Sequence, residues 1–194
     1  MKTVDEIRDY AKLAMSEKRF THTENVACEA RRLAKHWNAD SDSAYLAGLI
    51  HDIAKEIPYS DAIKMLENFG YIPDDTERVN GALLHGPLAA YIAQDEFGIE
   101  NEEIINAVRF HTTGRSDMSM LEKIIYVADF IEEGRTYPEA DIIRKIAYED
   151  IDKAVLCQSD MVIKFIIDCG KVLHTDTVTT RNSFLMKSKR GQNK

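Results

Sequence analysis

The feature that most constrains this chain is a titratable pair, His51-Asp52, within residues 46–55, LAGLIHDIAK. The stretch has the composition of a buried helix, yet an imidazole and a carboxylate stand side by side near its C-terminal end. An unpaired carboxylate in an apolar interior costs several kcal/mol, so the fold must provide a partner for it. A divalent metal ion is one such partner, because it binds both imidazole nitrogen and carboxylate oxygen.

Further residues of the same two types accompany the pair along the chain. They are His22, His85, His111 and Asp129. Each lies in or at the edge of an apolar run rather than in a cluster of solvated charges. The chain therefore offers a series of imidazoles and carboxylates that a helical fold could bring together around a metal ion.

The order H…HD…H…H…D resembles the ligand pattern of the HD-domain metal-dependent phosphohydrolases. Longer segments are more specific: HDIAK, LLHG, FHTTG and ADFIEEGR resemble the YqeK-type symmetrical diadenosine tetraphosphate hydrolases. The similarity runs from His22 to about Asn182. It implies an all-α HD-domain helical bundle with a metal centre in its core. It also implies one domain over residues 1–194, with a core at about 18–182.

The resemblance implies a set of metal ligands. These are His22, His51, Asp52 and Asp129. Asp52 would bridge two metal ions, since a carboxylate has two oxygens. His85 and His111 would hold a second ion or bind the phosphates directly, and the sequence leaves both possibilities open. The metal is commonly iron in this family, while ligand softness also allows manganese, cobalt or zinc.

The implied reaction is a symmetrical cut of diadenosine tetraphosphate into two molecules of ADP. A metal-bound hydroxide would attack a phosphate in line, because the metal lowers the pKa of its bound water. The predicted catalytic residues are Asp52, Lys55, His85 and His111. Lys55 lies one turn after Asp52 on the same helix face, so its ammonium group can reach a phosphate beside the metal.

A larger set is predicted to bind the substrate. It comprises His22, Lys55, His85, His111, Thr112, Arg135, His174, Thr175, Thr177 and Arg181. Residues 174–182 resemble the family's C-terminal nucleotide-binding segment, usually HPDT…ARN. Here Thr175 replaces the proline and Thr180 replaces the alanine.

Helical periodicity without alternating strand patterns favours an all-α bundle. The second helix is predicted over about 21–37, with His22 in its N-terminal turn. Ser41 or Asp42 is expected to cap the helix that carries His51-Asp52. A helix over Met120–Ile131 places Asp129 inside it, and the basic residues 187–194 are predicted to form a frayed tail.

Composition limits the partners. The formal net charge of −8 argues against non-specific nucleic-acid binding, which needs a basic surface. No apolar run has membrane-spanning length, and the N-terminus lacks a signal-peptide core. Cys28, Cys157 and Cys169 are predicted to be reduced core thiols, so a cytoplasmic location is expected. The expected partners are a dinucleoside polyphosphate and its ADP product; a homodimer is compatible with the sequence, although no segment specifies one.

Two alternatives accompany this prediction. The first is another HD-type activity, such as a deoxynucleotide 5′-phosphatase, a cyclic-nucleotide phosphodiesterase or an alarmone hydrolase. The segments FHTTG and ADFIEEGR disfavour it. The second is a non-catalytic nucleotide sensor with a degenerate pocket, which the complete set of metal-type residues disfavours.

Overall fold

The computed structural model describes residues 1–192, with side chains up to residue 190. The described residues form helices and connecting turns, with no β-strand among them. The α-helices are α1 (Val4–Ala14), α2 (Glu17–His36), α3 (Ser41–Ile50), α4 (Tyr59–Asn68), α5 (Asp75–Val79), α6 (His85–Asp95), α7 (Glu102–Arg109), α8 (Met120–Ile131), α9 (Pro138–Ala147), α10 (Ile151–Asp168) and α11 (Thr175–Gln192). A short 3-10 helix, Gly81–Leu83, precedes α6. The predicted all-α class is confirmed.

Capping side chains explain where several helices begin. The predicted span of α8 is confirmed, because Ser119 and Glu122 form a capping box in front of it. The predicted start of α2 is too late, because the Ser16 side chain accepts the amide of Arg19 and starts the helix at Glu17. His22 therefore lies in the second turn of α2 rather than in its first.

The predicted cap of α3 is wrong by one or two residues. Asp40 is the N-cap, and its Oδ1 accepts the amide hydrogens of Asp42 and Ser43. The N-cap side chain must precede the first free amides of the helix, and the acceptor at position 40 fulfils that condition.

The core is built around α2, α3, α7 and α8. Helices α2 and α3 pack closely along their lengths, α8 packs against both of them, and α7 packs against α3, α6 and α8. Fully buried aliphatic side chains such as Leu33, Ile50 and Val127 fill the space between them. Helix α10 packs on α8 and α9, and α11 packs on α10. The centre of the bundle is therefore lined by helices from widely separated parts of the sequence.

The cysteines differ from expectation. Cys28 and Cys169 are exposed and Cys157 is half-buried, so the predicted core location is wrong for the first two. Cys28 follows the fully buried Ala27, and one residue rotates a helix position by about 100° away from the core-facing stripe. All three are free thiols.

Within residues 1–192, no helix is both long enough and apolar enough to cross a membrane. The C-terminal segment from residue 187 continues as part of α11 to Gln192. Residues 193 and 194 of the predicted tail lie outside the described part.

Candidate metal centre

The pair His51-Asp52 lies immediately after α3, which ends at Ile50. Both side chains are buried, with exposed fractions of 0% and 3%. The Nδ1 of His51 donates to the carbonyl oxygen of Gly48 at 2.7 Å. Since a nitrogen facing a carbonyl oxygen must carry the proton, the Nε2 lone pair of His51 is directed into the bundle.

Two further histidines repeat this arrangement. The Nδ1 of His111 donates to the carbonyl of Val108 at 2.7 Å, and the Nδ1 of His85 donates to the carbonyl of Ala82. In each case the acceptor is three residues earlier in the chain. Backbone carbonyls therefore fix the same tautomer in all three rings and leave each Nε2 free to bind a cation.

Glycine allows the helices to come close enough for these rings to meet. A Cβ on Gly48 would lie 2.6 Å from the Cα of Ala27 in α2, and a Cβ on Gly86 would lie 2.6 Å from the carbonyl oxygen of Arg109. Neither position has room for a methyl group, because the opposing atoms belong to the backbone. The close approach of α2 to α3 brings His22 to His51, and that of α6 to α7 brings His85 to His111.

His22 is held differently, by a carboxylate. Its Nδ1 lies 3.2 Å from Oε1 of Glu132, which is buried and also accepts hydrogen bonds from Asn25 and from the amide of Gly134. The Nε2 of His22 then faces Oδ1 of Asp129 at 3.0 Å. A carboxylate behind an imidazole is the usual support of a metal-binding histidine.

We call His22, His51, Asp129 and Glu132 the carboxylate half of the centre. The Oδ1 of Asp129 lies 3.0 Å from Nε2 of His22 and 3.9 Å from Nε2 of His51. The Oδ2 of Asp52 lies 3.8 and 3.6 Å from the same two nitrogens. Donors that bind one metal ion at about 2.0–2.2 Å lie about 3–4 Å apart, so this spacing fits a single ion.

We call His85, His111, Thr112 and Lys55 the imidazole half. The Nε2 atoms of His85 and His111 are 2.9 Å apart, and both Nδ1 atoms already carry a proton. Two lone pairs at this distance repel each other unless positive charge lies beside them. The Nζ of Lys55, 3.0 Å from Nε2 of His85, provides one such charge.

Asp52 joins the two halves. While its Oδ2 faces His22 and His51, its Oδ1 lies 3.1 Å from Nε2 of His85 and 3.6 Å from Nε2 of His111. The two oxygens of one buried carboxylate thus point to opposite sides of the centre, the geometry that a bridging carboxylate requires.

Three atoms at the centre that could ligate a metal lack a hydrogen-bond partner among the described residues. They are Nε2 of His22, Nε2 of His51 and Oδ1 of Asp52. Buried polar atoms are almost always paired, so three unpaired ones that converge require an explanation. Neutral imidazoles and carboxylates suit a transition-metal ion, and the residues present therefore fit such an ion.

A comparison with known protein families identifies this arrangement. The model of the HD domain matches residues 19–134, which contain every residue of both halves. The chain belongs to the HD-domain family.

Two curated relatives of this HD-domain protein share one name. It is 36% identical to "Bis(5'-nucleosyl)-tetraphosphatase, symmetrical" of Bacillus subtilis over 171 residues, which are 88% of this chain and 91% of the relative. It is 37% identical to the protein of the same name from Halalkalibacterium halodurans, over 90% of this chain and 93% of the relative. The likeness thus extends over nearly the whole length of each protein.

A solved structure has the same fold. It is the crystal structure of a predicted HD superfamily hydrolase involved in NAD metabolism from Clostridium acetobutylicum, with a TM-score of 0.94 and 44% sequence identity. The superposition covers 96% of this chain and 99% of that one. The HD-domain helical bundle predicted from the sequence is confirmed.

Electrostatics keep both acids of the HD centre ionised. Burial by itself raises the pKa of Asp129, but the His22 ring 3.0 Å away and the other nearby imidazoles outweigh it and hold that pKa well below its usual range. The pKa of Asp52 is lowered in the same way, against burial, by His51, His111 and His85. The centre therefore presents two anionic carboxylates at neutral pH.

The pKa values of three imidazoles in the HD centre are shifted in different directions. Burial lowers the pKa of His51 and of His85 to about 4. Burial also acts to lower the pKa of His22, but Asp129 and Glu132 outweigh it, and that pKa is raised. His51 and His85 are therefore neutral at physiological pH, as metal ligands must be.

Three cationic side chains border the HD centre. Arg19 Nη1 lies 2.7 Å from Oδ2 of Asp52, Arg135 Nη2 lies 3.1 Å from Oδ1 of Asp129, and Lys55 Nζ lies 3.8 Å from Oδ1 of Asp52. Each is about one-third exposed, so it faces both the carboxylates and the solvent. These groups can bind a polyanion that enters the centre.

Sequence reasoning missed Arg19 and Glu132. Arg19 precedes His22 by three residues on α2, and Glu132 follows Asp129 by three residues at the end of α8. Residues three apart share a helix face, so this spacing was the available signal.

A first cleft opens from the imidazole half. Thr112 begins it, with its Oγ1 3.3 Å from Nε2 of His85 and 3.2 Å from Nε2 of His111. Its further walls include Tyr71, Phe110 and His174. The structure thus brings Thr112 and His174 to one cleft beside the metal centre.

The C-terminal segment reaches this cleft through its first residues. The Nε2 of His174 lies 3.1 Å from Oδ2 of Asp74, and buried Thr177 donates its amide to the carbonyl of His174. Thr180 donates its hydroxyl to the carbonyl of Thr113 at 3.1 Å, so the threonine that replaces the family's alanine fastens α11 to the cleft.

The other two predicted residues of that segment lie elsewhere. Thr175 is exposed at the first position of α11, and Arg181 pairs with Asp160 of α10 at 2.8 Å. Within the described residues neither lines the first cleft. Their contribution to substrate binding stays a prediction.

Proposed function

We propose that this protein is a metal-dependent hydrolase that cuts diadenosine tetraphosphate symmetrically into two molecules of ADP. The observation that carries the proposal is the convergence of four histidines, Asp52 and Asp129 on one buried centre, in a chain that resembles tetraphosphatases over nearly their whole length. The cations Arg19, Lys55 and Arg135 around that centre suit a substrate of high negative charge.

The residues that would hold the metal ion are His22, His51, Asp52 and Asp129, with His85 and His111 available to a second ion or to the phosphates. A bound ion would lower the pKa of a coordinated water and offset negative charge on the phosphoryl oxygens. The proposed metal is iron, and manganese, cobalt or zinc would suit the same donors.

The side chains have separate tasks in this proposal. Asp52 holds both halves in register, because each of its oxygens faces one of them. Lys55 donates to a phosphate oxygen from the imidazole half, and Arg135 does so from the carboxylate half. Burial removes water from around the Lys55 ammonium, which lowers its pKa, and the same loss of water strengthens the attraction of the charged form to phosphate.

Nucleotide recognition is assigned to the first cleft. His174 lines this cleft, Thr177 supports the His174 backbone, and Thr112 lies beside the metal centre. Thr175 and Arg181 would contribute only through a movement of α11. We also propose a cytoplasmic location, in keeping with three free thiols, and leave a homodimer as a prediction.

Product analysis tests the reaction. The purified protein is incubated with diadenosine tetraphosphate and iron, manganese, cobalt or zinc, and the nucleotides are separated by ion-exchange chromatography. ADP as the sole product is the expected result. ATP together with AMP would contradict the symmetrical cut, and absence of turnover with every metal would favour another HD substrate or a nucleotide sensor.

A pair of histidine variants ties the reaction to the centre. His51→Ala should abolish turnover, whereas His36→Ala should leave it unchanged, because His36 lies exposed at the end of α2. Equal loss in both variants would indicate a general effect on folding instead.

A further inference from the structure

We infer that a second cleft, on the other side of His85 from the first, binds the second nucleoside of the dinucleoside polyphosphate, with its base stacked on Tyr59. The cleft is lined by Lys55, Tyr59, Arg78 and Gly81, among others. This inference rests on the proposed function and extends it from one nucleoside to two.

The chemistry of a symmetrical cut calls for two such places. Two phosphates and one nucleoside lie on each side of the broken bond, so each half of the substrate must leave the metal centre in its own direction. The proposed function assigns one nucleoside to the first cleft, which His174 lines. The other nucleoside needs a second exit that starts at the same centre.

The second cleft starts at that centre. Nε2 of His85 lies 3.3 Å from Oγ1 of Thr112, where the first cleft begins, and 3.0 Å from Nζ of Lys55, where the second begins. The same nitrogen faces Oδ1 of Asp52 at 3.1 Å. The two clefts therefore open on either side of one imidazole, and a polyphosphate that passes it would reach both.

The size of the second cleft suits a nucleoside. Its volume is about 520 Å³. Sites for small molecules in proteins span about 300–1,000 Å³. The cleft is accordingly large enough for a base and a ribose.

Tyr59 offers a fixed aromatic face in this cleft. It is the first residue of α4 and 49% exposed. Its hydroxyl donates to the carbonyl of Arg78 at 3.2 Å, and its ring occupies the space where a Cβ on Gly81 would stand, since that Cβ would lie 2.4 Å from Cδ2. An exposed ring held on one side by backbone is a stacking platform for any base.

Arg78 adds a positive charge beside the ring. Its Nε donates to the carbonyl of Pro73 at 3.1 Å, which fixes the guanidinium at the rim of the cleft. Its terminal amino groups have no hydrogen-bond partner among residues 1–192. They can bind a ribose hydroxyl or the phosphate next to it.

Equilibrium binding tests the inference independently of turnover. The metal-loaded protein is titrated in a calorimeter with two inert ligands: diadenosine tetraphosphate whose central bridging oxygen is a methylene group, and the matching adenosine tetraphosphate, which has one nucleoside. The wild type should bind the two-nucleoside ligand at least about fivefold more tightly, the lower end of what one stacked base contributes.

The variants locate the difference. Tyr59→Ala should remove the preference for the two-nucleoside ligand and leave the Kd of the one-nucleoside ligand within about twofold, since the first cleft is unchanged. Tyr59→Phe is the matched control, because it keeps the ring, and it should retain the preference. Gly81→Ala should reduce the preference by pushing the ring out of place.

Three results would overturn the inference. They are equal affinity of the wild type for both ligands, an unchanged preference in Tyr59→Ala, and an equal loss of affinity for both ligands in that variant. Turnover of diadenosine tetraphosphate by the wild type is measured separately. Its absence would count against the proposed function, whereas the difference in Kd would still report on the cleft.

Discussion

The two halves of the centre use similar side chains but hold them in different ways. In the carboxylate half, His22 is supported by buried Glu132 and faces Asp129, so negative charge lies on both sides of the ring. In the imidazole half, His85 and His111 are supported by neutral backbone carbonyls, and the nearest charged group apart from Asp52 is the cation Lys55.

This difference in charge separates binding of a cation from binding of a substrate. A site with two carboxylates attracts a divalent ion strongly, and a carboxylate behind an imidazole makes that ligand more basic. A site of neutral imidazoles beside a lysine attracts a cation less and an anion more. We therefore expect the carboxylate half to hold its ion tightly and the imidazole half to exchange its ligand with the phosphates of the substrate.

The largest effect should come from the residue that both halves share. Asp52→Asn keeps the shape of the side chain but removes its charge, so the centre loses the bridge between its halves. We expect turnover to fall by at least on the order of 10²–10³-fold, the scale for losing one preorganised electrostatic contact. Steady-state kinetics and metal analysis of the same sample measure it. Loss of turnover with unchanged metal content would contradict a role of Asp52 in holding the metal.

The free energy of unfolding of the metal-free protein should depend on pH because His85 is buried in its neutral form. The pKa of His85 is about 4 in the folded state and 6.5 in its unperturbed state, so between these pH values the unfolded chain binds a proton that the folded protein excludes. The free energy of unfolding therefore falls as the pH drops from 6.5 to 4, by up to about 3 kcal/mol for this group. Urea unfolding with a chelator present measures it at several pH values.

The matched variants for that experiment are His85→Gln and His36→Gln. The first should make the decline between pH 6.5 and 4 less steep, because the proton excluded by His85 no longer contributes, while His51, whose pKa is also about 4, keeps its share. The second should leave the decline as it is, since His36 is exposed. A decline of equal steepness in all three proteins would mean that His85 is not the source. His22, whose pKa is raised, contributes in the opposite direction, and its share is lost as the pH rises through that value.

Glu132→Gln should weaken the carboxylate half alone. The amide keeps a hydrogen-bond acceptor for His22 but removes the negative charge behind the ring. Loss of such a support lowers metal affinity by about 10–100-fold. Competition with a fluorescent chelator measures the affinity, and Glu133→Gln, on the exposed neighbour, is the control. We expect the affinity of the more tightly bound ion to fall in Glu132→Gln. A fall in the affinity of the weaker ion alone would contradict the proposed difference between the halves.

The smallest effect should come from Thr112→Val in the imidazole half. The hydroxyl contacts Nε2 of both His85 and His111, and valine removes it with little change of shape. Loss of one such hydrogen bond corresponds to about 2–10-fold in the KM for the dinucleotide. Metal affinity of the carboxylate half should stay the same. Thr112→Ser should behave as the wild type, and a serine variant as impaired as valine would point to packing rather than to the hydroxyl.

Much of the fold could be predicted because local signals coincide with helix ends. Ser119 with Glu122 marks the start of α8, and Pro138 is the first residue of α9. The sequence pattern places the start of α2 too late because the first turn is polar, so the apolar stripe begins only at Phe20. A hydrophobic pattern locates the face that is buried, whereas the first turn depends on one capping side chain.

The centre could be predicted in part. The chemical type of His51, Asp52 and Asp129 in apolar surroundings indicated the donors, and the structure brings them together. Their supports could not be derived, because a histidine bonded to a backbone carbonyl three residues earlier leaves no mark in the sequence. The second cleft also depends on tertiary packing, because the Tyr59 ring packs against Gly81.

The bond between His22 and Glu132 has a consequence for synthesis of the protein. These residues are 110 positions apart, and ribosomes add about 5–20 residues per second. About 5–20 seconds therefore pass after His22 is made before its support exists. Late in that interval, once Thr112 has been made, the growing chain carries the whole imidazole half, but it still has no closed carboxylate half. Tight binding of a metal ion therefore requires that α8 has left the ribosome and packed against α2. The protein can bind its metal only late in its synthesis.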